Sequence, residues 1–250
     1  DGKYTSMYRE IDDFESFLPV KHKKDYELPL ELPLSLKKAI LSFCIANAIR
    51  DLRGDVTAHR SMLINVSRYI RIQDDLKDLV NTYFIMVKNQ IQNYILNPDY
   101  EKYQHLALLK QVYEEEFKID HNYDGTSVID WNRICRQIFD SIKNVKVESV
   151  NGGNASKLLD YKGYKNGLRL IAIGGMSLSR GLTLEGLCIS YFYRKSIMYD
   201  TLMQMGRWFG YRSNYEDLCQ IWMSEESYSW YQHISAATDE LREEINRIYY

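Results

Sequence analysis

The sequence lacks the features that mark several common protein classes. It has only four cysteines in 250 residues and no C-x-x-C pair, which argues against a disulfide framework or a zinc site. No apolar run approaches the roughly 18 residues of a membrane span. The first residues, "DGKYTSMYRE", lack the charged and apolar regions of a signal peptide, and they also lack a methionine. We therefore expect a cytoplasmic chain with no membrane partner that is a piece of a longer protein.

An excess of charge of one sign is also missing. The chain carries 32 Lys and Arg against 34 Asp and Glu, for a net charge of −2. Binding to nucleic acid would therefore need a local basic patch. Small basic clusters occur at 21–24 ("KHKK"), at Arg68 with Arg71 and at Arg194 with Lys195, and each fits either phosphate binding or simple solvent exposure. None of the five histidines pairs with another at ligand spacing, so we predict no metal site.

The polarity and the hydrophobic periodicity of the sequence change twice along the chain. Residues 1–33 are polar and contain three prolines, which predicts a linker or a leading strand packed on the surface. Residues 34–250 are predicted to form a single domain that opens with a helix at 34–53 and a buried strand at 61–67. Helical periodicity then dominates residues 68–144, which we interpret as a helical insertion.

Short strands follow the helical region. Runs rich in β-branched or aromatic residues at 145–150, 168–174, 187–193 and 218–223 predict four strands, separated by glycine-containing loops and by helices at 198–210 and 225–248. Strands that alternate with helices predict an α/β fold, with a parallel sheet and helices on both faces.

One glycine-rich segment follows a predicted strand. The run "AIGGMSLSRGLTLEGL" (172–187) combines glycines with hydroxyl side chains and an arginine. Ligands of open parallel sheets bind beyond the carboxyl ends of the strands, where such loops can offer backbone N–H groups to an anion. The alternative is a tight connection with a structural arginine.

A second segment places two arginines close together. In "YDTLMQMGRWFGYR" (199–212), Arg207 and Arg212 flank an aromatic pair, and Gln204 is polar within an apolar run. Glycines at 206 and 210 would each cost roughly 1 kcal/mol in a helix interior, so an amphipathic helix explains them poorly. Two guanidinium groups suit the stabilisation of charge during phosphoryl transfer. The alternative is a solvated helix face on which these arginines pair with Glu216 or Asp217.

Together the two segments carry a family resemblance. The run "LIAIGGMSLSRGLTLEGLCISYFYRKSIMYDTLMQMGRWFGYR" resembles motifs V and VI of superfamily 2 helicases. More specifically, the chain resembles the Z1 domain over about residues 30–245. That domain occurs in bacterial proteins described as endonucleases and associated with restriction or phage defence. The resemblance implies the second RecA-like domain of an ATP-dependent, helicase-like motor that acts on DNA.

The resemblance also implies roles for single residues. Arg207 and Arg212 match the motif VI arginines, which reach across a domain cleft to the terminal phosphates of the nucleotide, and Arg207 is the first choice of arginine finger. The implied nucleotide-binding residues are Gln204, Gly206, Gly181 and Thr183. The implied nucleic-acid-binding residues are Ser177, Ser179, Arg180, Asn65 and Ser67.

The chain departs from the helicase pattern at four points. Four residues separate the two arginines where two are usual, and Gln204 lies one position closer to the Gly-Arg pair. Thr183 stands where many helicases have an aspartate that contacts the ribose. The insertion at 68–144 has no counterpart in minimal helicases.

Two elements of a complete motor are missing. The chain has neither a GxxxxGK[ST] phosphate loop nor an acidic motif for magnesium. We therefore expect ATP with Mg²⁺ to be bound mainly by an N-terminal RecA-like domain of the same parent protein, and we find no nuclease constellation. A different reading is a non-catalytic regulatory domain whose insertion, rich in Tyr, Gln and Asn, binds a protein partner. A small-molecule Rossmann enzyme is disfavoured because no GxGxxG follows the first strand.

Overall fold

The computed structural model describes residues 7–118, 129–151, 159–174, 184–193, 215–230 and 232–233. Within them, six strands form one sheet in which all neighbours are parallel. The strands are β1 (Tyr8–Glu10), β2 (Arg60–Asn65), β3 (Lys146–Val150), β4 (Arg169–Gly174), β5 (Leu187–Phe192) and β6 (Gln220–Met223). Their order is β1-β6-β5-β2-β4-β3, so β2 lies between β4 and β5.

The central strand is covered on both faces. Every residue of β2 is buried, as expected for a parallel strand whose two faces are both packed. Its side chains alternate: Met62 and Ile64 join the larger hydrophobic cluster on one face, and Leu63 joins a smaller cluster on the other.

Four α-helices pack on the face of the larger cluster. They are α1 (Leu34–Leu52), α2 (Ile70–Tyr94), α3 (Gln104–Glu116) and α4 (Trp131–Ile142). Every residue of α1 from Ala39 to Arg50 is buried, because the helix lies between β5 and the helices α3 and α4. The Asp130 side chain accepts a hydrogen bond from the Asn132 amide over 3.0 Å and so caps the start of α4.

The predicted insertion is part of this helical layer. α2 contacts β3 and β4, and α3 and α4 pack against α1. The helices between residues 68 and 144 therefore help to cover the sheet, and removing them would expose the larger cluster.

The opposite face carries smaller helical elements. A 3-10 turn at Tyr161–Gly163 and a helix at 225–230 contribute side chains to the smaller cluster. Tyr228 of that helix stacks on Tyr8 of β1, with ring centroids 4.0 Å apart. The predicted α/β fold, a parallel sheet with helices packed on it, is confirmed.

The residues before α1 take part in the fold. β1 pairs with β6 at the edge of the sheet, and Phe14, Phe17 and Leu18 are buried in the larger cluster. The polar composition of this segment gave no sign of that burial. The domain boundary at residue 33 stays a prediction.

Several element boundaries differ from the predicted ones. The last strand begins at Gln220, because the residues from Glu216 to Leu218 form a 3-10 turn. The predicted helix at 198–210 lies outside the described residues. In the part of the chain that the structure describes, no helix combines the length and apolar character needed to cross a membrane.

Candidate functional site

The carboxyl ends of the three central strands lie side by side. Asn65 at the end of β2 is in register with Phe192 of β5, and Ile64 is in register with Ile173 of β4. Neighbouring strands lie about 4.8 Å apart, so the ends of β4 and β5 are roughly 10 Å apart on either side of β2. This is the edge of a parallel sheet where ligands bind.

Most of the predicted site residues belong to the segments that leave this edge. Residues 175–183 follow β4 directly, and residues 194–214 follow soon after β5. The predicted residues that lie outside the described residues are Ser177, Ser179, Arg180, Gly181, Thr183, Gln204, Gly206, Arg207 and Arg212.

Asn65 is a buried amide with an unused acceptor. The residue is only 4% exposed, and its Oδ1 has no hydrogen-bond partner among the described residues. Its backbone carbonyl accepts from the Tyr193 amide over 3.2 Å, which fixes the end of β2 against β5. A buried acceptor without a partner is costly, so Asn65 offers a polar contact to a ligand or to a group beyond the described residues.

Ser190 on β5 is a polar residue that the sequence analysis missed. It is fully buried, it is in register with Leu63 of β2, and its Oγ has no partner among the described residues. Asn65 and Ser190 thus give the central strands two buried polar atoms that have no partner within the described part of the chain. The only signal in the sequence was a serine within the apolar run "LCISYFY".

The side chain of Ser67 is engaged inside the protein. Ser67 is 1% exposed, its Oγ lies 2.8 Å from His22 Nε2, and it accepts from the Tyr69 amide over 3.1 Å. Its carbonyl accepts from Gln73 Nε2 over 2.9 Å. A direct contact between Ser67 and nucleic acid stays a prediction.

The tautomer of His22 follows from its two contacts. Nδ1 lies 2.7 Å from the Pro19 carbonyl, which can only accept, so Nδ1 carries the proton. In the neutral ring Nε2 is then an acceptor, and the Ser67 hydroxyl donates to it. This bond ties the segment before α1 to the end of β2.

Acidic and phenolic side chains form a second network at the same edge. Tyr193 Oη donates to Glu15 over 2.6 Å, and Tyr191 Oη lies 2.7 Å from Ser35 Oγ, which also bonds Asp13. Burial raises the pKa of Tyr191 well above its ordinary value. Burial and then the hydrogen bond to Glu15 raise the pKa of Tyr193. Both phenols therefore stay protonated. Tyr193 donates to the Glu15 carboxylate, Ser35 donates to Asp13, and Tyr191 donates to the Ser35 hydroxyl.

Metal and thiol chemistry find no support in the described residues. Across them, no three His, Cys, Asp or Glu side chains form a group that could hold a metal ion. All four cysteines are buried and free. Burial raises the pKa of Cys44 and of Cys135 to about 12, so neither thiol is an activated nucleophile.

The contacts of Asp217 argue against the alternative in which Arg207 or Arg212 pairs with this carboxylate. Asp217 accepts from Arg53 through both oxygens, Nη1 to Oδ1 over 2.8 Å and Nη2 to Oδ2 over 2.5 Å. A carboxylate held in this bidentate way is a poor partner for Arg207 or Arg212.

Gly186 has a structural role at the amino ends of the strands, opposite the candidate site. Its φ is +67°, and a Cβ built on it would lie 1.7 Å from the His59 carbonyl oxygen. Its own carbonyl accepts from the Ser61 amide over 3.0 Å. This glycine therefore allows β5 to begin beside β2 and is not part of a phosphate loop at the carboxyl edge.

Comparison with known proteins relates the chain to a described domain family. The family model of the Z1 domain matches residues 35–249. No curated protein and no solved structure matches the chain.

Proposed function

Because the chain belongs to the Z1 domain family, we propose that it is the second RecA-like half of an ATP-dependent, helicase-like motor that acts on DNA. The parent protein would be a bacterial endonuclease-type protein of restriction or phage defence. The chain would supply arginine fingers and DNA-backbone contacts to this motor.

The arrangement of the central strands is the observation that best supports this function. The segment with Ser179 and Arg180 follows β4, the segment with Arg207 and Arg212 follows β5, and both strands pair with β2. Two chain segments with hydroxyl and guanidinium groups thus begin at one edge of a parallel sheet, where phosphates are bound. A motor needs both a nucleotide contact and a nucleic-acid contact at such an edge.

Each segment has its own task in this proposal. Arg207 and Arg212 stabilise the charge that develops on the terminal phosphate. Gln204 makes a polar contact near the nucleotide, and Gly206 lets the backbone approach it. The segment from Ser177 to Thr183 couples phosphate release to movement along the DNA backbone. Asn65 adds a polar contact from the end of β2.

ATP with Mg²⁺ would be bound mainly by another domain of the parent protein. The described residues include no cluster suited to a metal ion, and the whole sequence has no phosphate-binding loop of the GxxxxGK[ST] type. In this scheme the present chain completes an ATP site and contributes little hydrolysis alone.

DNA-stimulated ATPase activity of the complete parent protein tests the proposal. We expect Arg207→Ala to lower turnover by about 10³-fold or more, the range for an arginine finger. Arg212→Ala should have a comparable or smaller effect, which identifies the finger. Arg133→Ala removes an exposed arginine of α4 and serves as the matched control. Full turnover in both finger variants would contradict the proposal.

The outer face of α2 favours a second candidate function. Ile85 and Met86 of α2 and Leu96, just beyond its end, are exposed, and the only charged residue from position 79 to position 97 is Lys88. An uncharged, partly apolar helix face of this kind is typical of protein interfaces. The second candidate is therefore a regulatory domain that keeps the helicase fold and binds a protein through α2. Replacing Ile85 and Met86 by Lys should then abolish partner capture without affecting ATP turnover.

A further inference from the structure

Two basic segments far apart in the sequence meet at the end of β2. The hydrogen bond between His22 and Ser67 joins residues 45 positions apart. The His22 ring also meets the ring of Tyr69 edge-on, with centroids 5.7 Å apart. These contacts place the chain segment that carries Lys21, Lys23 and Lys24 beside the segment that carries Arg68.

Four exposed cations of these segments have no ion-pair partner among the described residues. Lys21, Lys23, Lys24 and Arg68 are exposed, and none has an ion-pair partner among the described residues. Arg71, one turn further on, forms an ion pair with Asp75 at 3.5 Å, with both side chains about half exposed. We call the first four residues the basic surface.

Lysines elsewhere on the described surface are mostly paired. Lys102 pairs with Asp99 at 2.5 Å and Lys143 pairs with Asp140 at 2.8 Å. The acidic residues closest in sequence to the basic surface are Asp25 and Glu27, both exposed. Glu15 also approaches this segment, with its Oε2 3.3 Å from the Val20 amide. The four cations outnumber these three carboxylates, in a chain whose overall charge is negative.

The start of α2 adds to the positive potential. This 25-residue helix begins at Ile70, its N-cap residue Tyr69 makes no side-chain cap hydrogen bond, and its first turn contains no acidic residue. The Arg68 guanidinium lies over the Tyr69 ring at 4.9 Å and donates to Tyr69 Oη over 2.8 Å. Helix N-termini carry a partial positive charge, which here is not neutralised by a side chain.

We propose that the basic surface binds the phosphate backbone of a DNA strand without reading its sequence. The inference rests on the proposed function and names one of its DNA contact surfaces. Lysine ammonium groups contact phosphates as point charges, and Arg68 offers a planar fork that can hold two phosphate oxygens. The surface lies beside the carboxyl end of β2, so DNA bound here would run past the edge where Asn65 ends the strand.

Salt-dependent binding of the 250-residue chain to a labelled single-stranded oligonucleotide tests this proposal. The test variant replaces Lys21, Lys23, Lys24 and Arg68 by Gln. Each phosphate contact adds about 0.7 to the slope of log affinity against log salt for single strands. We expect the variant to bind at least about tenfold more weakly and its slope to fall by roughly 3. Circular dichroism would show that the variant is folded.

The matched control removes the same amount of charge elsewhere. It replaces Lys102, Lys118, Lys143 and Lys165, which are all exposed, by Gln. We expect its affinity to stay within about twofold of the unmodified chain, since none of the four belongs to the basic surface. An equal loss in both variants would overturn the proposal, because net charge alone would then account for binding.

Two other results separate this proposal from the proposed function. If the unmodified chain and the test variant bind DNA equally well, the basic surface is not the DNA contact. The proposed motor function is then unaffected. If the unmodified chain binds phosphatidylserine vesicles and no DNA, the surface proposal fails, while the ATPase test at Arg207 still decides the motor function.

A further variant tests the assembly of the surface. His22→Phe keeps all four cations and removes the hydrogen bonds to Ser67 and Pro19. We expect several-fold weaker binding, because the lysines are no longer held beside Arg68. Unchanged affinity in a folded His22→Phe variant would show that the tether is not needed and would overturn this step.

Discussion

Arg60 and Asp51 form an ion pair in the protein interior, with Arg60 Nη2 2.6 Å from Asp51 Oδ1 and exposed side-chain fractions of only 0% and 4%. The same Oδ1 lies 3.0 Å from Arg169 Nη2, and Ser141 Oγ donates to Oδ2 over 2.5 Å. Arg60 and Arg169 are direct register partners on β2 and β4. One carboxylate thus compensates two like charges that the sheet brings together.

Asp51→Asn should therefore be strongly destabilising. Removing one partner of a buried ion pair costs about 3–5 kcal/mol, because the remaining charges stay buried without compensation. Chemical denaturation should show a loss of this size. Asp99→Asn, which breaks an exposed pair with Lys102, should change stability by less than about 1 kcal/mol. A loss below about 1 kcal/mol in Asp51→Asn would contradict this account of the network.

Gly186→Ala should also destabilise the fold. The added Cβ would collide with the His59 carbonyl oxygen, and φ is +67°, a conformation that side chains rarely adopt. We expect a loss of at least about 2 kcal/mol in the free energy of unfolding. Gly163→Ala is the control, since the atom nearest its Cβ would be Asp160 Oδ2 at 3.9 Å. Equal effects at the two sites would refute the packing argument.

Alkaline pH should weaken the fold through the buried thiols. Burial raises the pKa of Cys44 and Cys135 from an ordinary value of 9.0 to about 12. The unfolded chain then releases these protons first, so stability is complete below pH 9 and falls as pH rises from 9 towards 12. Each thiol can contribute up to about 1.4 kcal/mol per pH unit in this window. Midpoints of chemical denaturation should fall less steeply between pH 8 and 11 in the double variant Cys44→Ala/Cys135→Ala than in the unmodified chain. Equal slopes for the two proteins would contradict the contribution of the thiols.

The sheet was predictable because its strands are short, β-branched runs that differ from the helical segments around them. β2, β3, β4 and β5 were each predicted to within two residues at either end. The packing of α2, α3 and α4 was harder to predict from the sequence, because a helical period shows which face is apolar but not what covers that face. These helices form part of the layer on the sheet, and their description as an insertion at 68–144 stays a prediction.

The site was predictable only in part. Motif spacing pointed to the carboxyl edge, and Asn65 lies there as a buried amide whose Oδ1 has no hydrogen-bond partner among the described residues. The His22 to Ser67 bond was not predictable, since it depends on how a segment without regular structure folds back over 45 residues. Ser190 was missed because a serine within a strand gives no sign of whether its hydroxyl finds a partner.

In the proposed function, Arg207 of this chain completes an ATP site held mainly by another domain. The most direct measurement compares nucleotide binding with ATP turnover in the complete parent protein, unmodified and with Arg207→Ala. An arginine that acts on the transition state should leave the nucleotide Kd nearly unchanged while turnover falls by about 10³-fold or more. Retained turnover in Arg207→Ala and Arg212→Ala, with nucleotide bound, would contradict the account.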